Sequence, residues 1–354
     1  MRFVFFIFIL FLFFSCQFRS VKNTASERDN SDSTEIQIPE IKYSDQKLES
    51  FLDSVGNLSP NPWMEKVSFF SDSIFRSGKS LNDSLTPEDF KELKAACKSK
   101  QIDQKFARKI LPDLVLDSAF LKLEKIPLTL ISFDQHDSDF KEFAVCAGNP
   151  ELTGSTELYF FQSNKIISKH SNYNRYGLSI DHFKDSDGKT IIYYIENYES
   201  GSGIWWNNYY FYKYYGHQLI PVLNEIQNAN LQPGWSIRVL NLESSILKTN
   251  PLTMKVVYSQ ELPDTANNLH LIVSDSTIIR YQWNEPSKTL EGDFANSKLS
   301  NAQKLTFYLQ DNELLFINSF HSSLRNMLND SLVIRNATLD YLNKVKNVTR
   351  NKSH

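Results

Sequence analysis

Apolar and polar positions follow three different rhythms along this chain of 354 residues. From Phe3 to Phe14 there is no alternation: the run is unbroken and apolar, preceded by Arg2 and followed by Ser15-Cys16. It falls short of the ~20 residues that a membrane-spanning helix needs. Residues 16–43 are rich in Ser, Asn, Asp, Glu and Lys. They show almost no periodic apolar face, so they cannot bury enough surface to offset the entropy of ordering. A flexible tether is predicted there. A helical rhythm then begins over residues 44–126. Leu48, Phe51, Leu52 and Val55 share one face, with Ser44 as a cap and Gly56 as a stop. Trp63, Val67, Phe70 and Ile74 share another face after Pro62. Thr86-Pro87-Glu88-Asp89 starts a third helix carrying Phe90, Leu93 and Cys97 on one side, because a capping hydroxyl precedes Pro at the first helical position. A short helix over Asp103–Ile110 ends at Pro112.

From about Pro127 the rhythm shortens to β-branched and aromatic runs between turn residues. The predicted strands are Leu128–Phe133, Glu142–Cys146, Glu157–Gln162, Lys165–His170, Ile180–Phe183, Thr190–Asn197, Trp205–Tyr215, Gln218–Leu223, Ser236–Leu240, Leu252–Gln260, Leu269–Val273, Thr277–Trp283, Lys304–Leu309 and Glu313–Ile317. Asp187-Gly188 is a strong hairpin signal. Helical spacing returns in Ser319–Leu328 and Leu332–Val345. The predicted class is therefore α+β, mainly antiparallel β. A helical segment (44–126) leads into a β-meander (127–318), built as a propeller-like array or a sandwich, and helices close the chain (319–354).

The N-terminal layout changes the picture of where this domain sits. One cation, about a dozen apolar residues and a small residue before a Cys form a secretory signal. Phe13-Phe14-Ser15-Cys16 resembles a bacterial lipobox, in the looser Bacteroidota style. The resemblance covers residues 1–16 only and implies an address rather than an activity: cleavage after residue 15 and acylation of Cys16 with palmitate-type chains. The partner so implied is a membrane, reached through the N-terminal lipid. Gln17-Phe18-Arg19-Ser20 carry neither the Asp that resembles an inner-membrane retention signal nor the acidic run that resembles a surface-export signal. The expected location is the outer membrane, facing the periplasm rather than the cell surface. The alternative is ordinary cleavage with Cys16 free or disulfide-bonded.

Composition adds limits. The net charge of -3 leaves no basic footprint, so nucleic acid is not an expected partner. Aromatic residues make up 13%, which suits pleated sheets. Apart from Cys16 there are two cysteines, Cys97 and Cys146. An oxidising compartment would let them pair, and two separately buried thiols are the alternative.

Candidate chemistry is sparse. Trp205 to Tyr215 is aromatic on both strand faces. One face is core, and the other is either covered or binds a ligand. Trp205, Trp206, Tyr210 and Tyr212 are the candidate ligand-binding residues, with a glycan or another envelope protein as the ligand class. Burial on both faces is the simpler expectation. No catalytic residue, metal ligand or cofactor is assigned. Asp134, His136, Asp137 and Asp139 fit neither a Ca²⁺ loop nor a Zn²⁺ site and read as a solvated turn. Asp185-Ser186-Asp187-Gly188 lacks the closing Glu of a Ca²⁺ loop and reads as a hairpin. Glu199-Ser200-Gly201-Ser202-Gly203 lacks the elements of a phosphate loop or nucleophile elbow and reads as a hairpin loop. The expected role is a non-enzymatic binding or structural module. The alternative is a hydrolase of glycan or peptidoglycan using Glu196 and Glu199, which requires both carboxylates to face one cleft.

Overall fold

Two stacked antiparallel sheets occupy the middle of the molecule, with helices on both flanks. The computed structural model describes residues 40–65, 78–148, 154–174, 177–199, 203, 205–230, 237–263, 269–309 and 312–351. Residues 1–39, where a leader, an acylated Cys16 and a tether are expected, lie outside these residues, as does most of the segment predicted to be helical after Pro62. Residues Ile41–His354 cluster as one unit.

The first helices form where the sequence places them. Helix α1 (Asp45–Gly56) buries Leu48, Leu52 and Val55. Helix α2 (Pro87–Ser99) starts at Thr86, whose Oγ1 accepts the Asp89 N–H at 3.1 Å. It stops at Lys100, in the left-handed region with φ 56°. Helix α3 (Gln104–Ile110) is capped by Asp103, which accepts the Phe106 N–H at 3.0 Å.

Sheet one contains β1 (Gly78–Ser84), β2 (Gln101–Asp103), β3 (Lys125–Ser132), β4 (Glu142–Ala147), β5 (Gly154–Gln162) and β6 (Lys165–Asn174), in the order β1-β6-β5-β4-β3-β2. Sheet two is a meander in chain order: β7 (Ile180–Lys184), β8 (Thr190–Glu199), β9 (Trp205–Tyr215), β10 (Gln218–Asn230), β11 (Val239–Thr249), β12 (Leu252–Pro263), β13 (Leu269–Asn284) and β14 (Thr289–Gly292). Helices α4 (Asn301–Tyr308), α5 (Glu313–Ser319), α6 (His321–Leu328) and α7 (Leu332–Asn351) follow.

The mainly antiparallel α+β class is thus the observed one, built as two large sheets rather than an array of small ones. Two segments differ from expectation: Lys304–Leu309 and Glu313–Ile317 are helical, not strands. Their composition is aromatic and aliphatic, but their ends carry helix caps. Ser300 Oγ accepts the Gln303 N–H at 3.2 Å while Gln303 Oε1 accepts the Ser300 N–H at 2.9 Å. Asn312 Oδ1 accepts the Leu315 N–H at 3.1 Å. These caps, the first of them reciprocal, satisfy orphan donors of a first helical turn, which an extended strand would not use. Conversely, β1 and β2 lie in the segment predicted to be helical, and both are edge strands.

Four cores result. Leu93, Cys97, Phe106 and Ile110 of α2 and α3 cover one face of sheet one at Phe143, Val145, Tyr159 and Phe161. The opposite face, with Phe133, Ala144, Cys146, Leu158 and Phe160, packs on Ile192, Tyr194, Tyr210, Tyr212 and Tyr214 of sheet two. The far face of sheet two gathers Phe211, Val222, Met254, Val256 and Ile279 under Phe307 of α4. Helices α1, α5, α6 and α7 meet around Leu52, Phe316, Leu324 and Leu342. Cys97 and Cys146 fall in different cores on opposite faces of sheet one, so the pairing considered from sequence does not occur: both are free and buried. Burial pushes both thiols up to about 12, which makes them poor nucleophiles.

Buried polar groups tie α4 to sheet two. Glu225 of β10 is fully buried and ion-paired with Lys304. It also accepts hydrogen bonds from the hydroxyls of Tyr281 and, at 2.9 Å, Tyr308. Removing one member of a buried pair strands the other charge, at a cost of about 3–5 kcal/mol. Lys304→Met is therefore expected to lower the denaturant midpoint sharply, and Glu225→Gln in that background to restore part of the loss. An unchanged midpoint in Lys304→Met would show that the pair is not a strut.

Candidate functional site

The aromatic strand β9 is buried on both faces along most of its length. Tyr210 and Tyr212 are 7% and 1% exposed. Tyr212 stacks on Tyr194 with centroids 5.6 Å apart and packs on His170 at 4.5 Å. These two tyrosines are therefore packing residues between the sheets, not a platform open to a ligand. Trp205 and Trp206 are half-buried at the start of β9, paired in register with Glu199 and Tyr198 of β8. The structure does not bring the four residues together as one exposed surface.

Glu196 and Glu199 do not form a pair. They stand three residues apart on one strand with continuous register, so their side chains leave opposite faces. Glu199 is exposed. Glu196 is largely enclosed, and burial raises its carboxyl to about 7. Nearby, His170 Nδ1 lies 3.0 Å from the Tyr194 hydroxyl, and burial drops the imidazole to about 3, so it stays neutral.

The acidic turns are also spoken for. Asp134 accepts the backbone N–H of Lys141 at 2.6 Å and that of Glu142 at 3.2 Å, which closes the turn before β4. Asp185–Gly188 is the β7–β8 hairpin, with Gly188 at φ 77° and its N–H on Asp185 O at 2.9 Å. Asp185 and Asp187 grip the fully buried ammonium of Lys213 at 2.5 and 3.0 Å. That lysine also lies 3.9 Å from the Trp283 ring centroid. A side-chain cation thus satisfies the carboxylates that superficially resemble a Ca²⁺ loop. Among the described residues no group of three or more His, Cys, Asp or Glu is arranged to hold a metal.

Open space lies instead at the turn end of the two sheets. Two adjoining clefts of about 520 and 630 Å³ share Lys165 and His217. The β5–β6 turn supplies Ser163 and Asn164, and the β9–β10 turn supplies Gly216 and His217. His217 Nδ1 lies 2.8 Å from Gln162 Oε1, which links the two sheets across the groove floor. The first cleft also carries Lys141 and Lys184, and the second Tyr215, Gln218 and Lys288. Two lysines crowd Tyr215, Lys189 at 4.3 Å and Lys288 at 5.0 Å from its ring centroid. A further cleft of about 760 Å³ beside Cys97 is walled by Pro127, Leu128, Leu130 and Phe140 and carries Lys98, Lys100, Thr129, Asp137 and Ser138.

Sequence patterning marks the groove residues as turn positions, strand ends and part of the segment expected to be helical, with nothing in common. They are drawn from both sheets and from positions 80 to 288, so no local motif joins them. Comparison with protein-family models, with curated proteins and with solved structures finds no match.

Glu196 makes a pH-dependent contribution with a definite sign. Its folded value lies above the ordinary 4.5, so the folded state holds the proton more tightly. Stability from this group is greatest below about 4.5, declines as pH rises and levels off above about 7. Glu196→Gln is expected to remove that decline, gaining about 3 kcal/mol on the wild type between pH 4 and pH 8. Chemical unfolding at the two pH values measures it; parallel curves for both proteins would refute the assignment.

Proposed function

We propose that this protein is a lipid-anchored cell-envelope protein that works as a binding module. The observation that carries the proposal is the N-terminal sequence: Arg2, the Phe3–Phe14 run and Ser15-Cys16. Such a leader exports the chain, and acylation of Cys16 holds it at a bilayer. Each buried CH₂ contributes about 0.8 kcal/mol, and more than one chain makes attachment stable. The polar stretch after Cys16 gives the folded unit reach from the membrane. Among the described residues no helix is long and apolar enough to cross a membrane. The residues after Cys16 favour the periplasmic face of the outer membrane.

Binding is preferred over glycan or peptidoglycan hydrolysis because the carboxylates considered for hydrolysis, Glu196 and Glu199, leave opposite faces of β8. The open polar groove at the turn end is the surface best suited to contact a ligand.

Mass spectrometry of the native product tests the address directly. The expected N-terminus is Cys16 with fatty acyl chains attached, and Cys16→Ser is expected to keep its leader and incorporate no palmitate. Thiol titration of the unfolded mature chain should count only Cys97 and Cys146. A reactive Cys16, or a leader retained on the wild-type product, would overturn the proposal.

A further inference from the structure

Sheet one is open along part of one side. Strand β2 lies at its end and pairs only Gln101–Asp103 with Lys125–Pro127 of the longer β3. In an antiparallel ladder the N–H and C=O groups of successive residues point to alternate sides. The Gly148 N–H donates to Pro127 O at 2.9 Å and the Phe133 N–H to Glu142 O at 3.0 Å, so Pro127, Thr129, Ile131 and Phe133 face β4. The Leu128 N–H points the other way, onto Lys100 O at 3.1 Å. The β3–β4 register runs without a shift from Leu128 to Ser132. Leu130 and Ser132 therefore turn their N–H and C=O outward, and among the described residues no strand or backbone hydrogen bond meets them.

Folded proteins guard open strand edges with charge, proline, bulges or short length. Among the described residues the other edges carry those guards. Strand β1 has Lys79, Asp83 and a bulge, and β7 has Asp181 and Lys184. Strand β14 is four residues long, and the stretch of β13 beyond it holds His270, Asp275 and Arg280. Leu128-Thr129-Leu130-Ile131-Ser132 has none of them. The cleft of about 760 Å³ runs beside this stretch. Leu128, Leu130 and Phe140 form its apolar wall, Lys98 and Lys100 stand at the Leu128 end, and Asp137 stands where the chain turns after β3. None of these three charged groups is ion-paired among the described residues. The Lys100 N–H already takes the last-turn carbonyls of Ala96 and Cys97 in α2, so the two ammonium groups dominate that end.

Only one kind of strand fits the opening. Backbone at Lys100 already stands outside Leu128, so an added strand has room beside Leu130 and Ser132 alone. Laid antiparallel to β3, it runs toward Lys100 and must end there; laid parallel, it must begin there. A chain end between two ammonium groups suits a carboxylate and repels an amine. We propose that the open edge of β3 receives the free carboxyl-terminal tail of a partner protein as an added antiparallel strand. The tail's carboxylate lies at Lys98 and Lys100, and a basic residue upstream lies toward Asp137. The tail residue opposite Leu130 shares its face, so an apolar side chain there enters the cleft. Main-chain hydrogen bonds supply affinity and the cleft supplies selectivity, the general logic of strand addition. This adds a second surface to the binding role proposed above and is separate from the lipid anchor.

Selection of displayed random peptides with free carboxyl ends on the full chain in detergent tests the inference. Tails with apolar residues near the end and Lys or Arg upstream are expected to be enriched. The most enriched peptide, made synthetically, should bind, and its C-terminal amide should bind about tenfold more weakly, the scale of two exposed charge contacts. Lys98→Ala/Lys100→Asn should lose the same factor; Asn suits the left-handed backbone of position 100. Ser132→Pro removes an outward N–H without touching the β4 ladder and should also weaken binding. Hydrogen exchange should show the Leu130 and Ser132 amides protected by the peptide. Lys248→Ala/Lys255→Ala, which removes the same charge from exposed or half-buried sites on β11 and β12, should bind as the wild type does. Circular dichroism confirms that the variants fold. No enriched tail, equal binding of acid and amide, or binding unchanged in both edge variants would each overturn the inference. So would a dimer in sedimentation that Ser132→Pro abolishes, which would assign the edge to a second copy. Mass spectrometry of Cys16 on the same preparation keeps the claims apart: a lipidated chain that takes no tail defeats the edge alone.

Discussion

The burial of β9 on both faces is the constraint on which the rest of the molecule turns. Tyr210, Tyr212 and Tyr214 point into the layer between the sheets, and Tyr209 and Phe211 into the core of sheet two. One strand thus belongs to two cores, and fully burying a large apolar side chain stabilises by about 1.5–3 kcal/mol. Such a strand tolerates no unpaired polar group. Lys213, near its C-terminal end and 0% exposed, is the exception that shows the rule, since two aspartates of the neighbouring hairpin and the Trp283 ring surround its ammonium. The β7–β8 hairpin is therefore more than a connection. Its acidic turn neutralises a charge that the double-sided strand would otherwise strand in a medium where charge is costly.

The same logic governs the far half of sheet two. Arg238, 1% exposed, donates to Glu313 at 2.8 Å and to Gln260 Oε1 at 2.6 Å, and its guanidinium lies 4.0 Å from the Phe316 ring centroid. Gln260 passes the connection on to Thr306 at 2.7 Å, and Tyr341 donates to Glu313 at 2.5 Å. This network joins sheet two to α4, α5 and α7, as the Glu225 cluster joins it to α4 alone. Directional buried hydrogen bonds fix how the helices sit on the sheet, where apolar packing alone would accept several angles.

How much of this the sequence discloses depends on the range of the interaction concerned. Local devices are legible. Thr86-Pro87 and Asp103 start helices, Asp187-Gly188 turns a hairpin, and the continuous aromatic pattern of β9 announces a strand covered on both sides. Tertiary devices are not. Strand β1, Gly78–Ser84, is polar and has no apolar alternation; it is a strand because β6 offers it an edge, with Gly78 opposite His170. A Cβ at Gly78 would come within 2.5 Å of His170 Nε2, so glycine there serves a contact with a residue almost a hundred positions away. Helices α4 and α5 were obscured for a different reason. Their aromatic and aliphatic content suits strands, and the Ser300–Gln303 capping box that decides the matter is a two-residue signal inside a longer compositional one.

The location of open polar surface follows from the same stacking. Where two sheets meet face to face, side chains in the middle of the facing strands are consumed by packing, and the aromatic residues that look most like a binding platform in the sequence become the least accessible. Freedom to contact a ligand is left at strand ends, where the backbone turns and side chains of both sheets come within reach of each other. His217 and Gln162 meet there across the boundary between the sheets. Acids at that end are drawn into closing turns and pairing lysines, because a carboxylate beside backbone N–H groups is stabilised by accepting them. Lysines have no such use for the backbone N–H, so those without a carboxylate partner keep their charge directed to solvent.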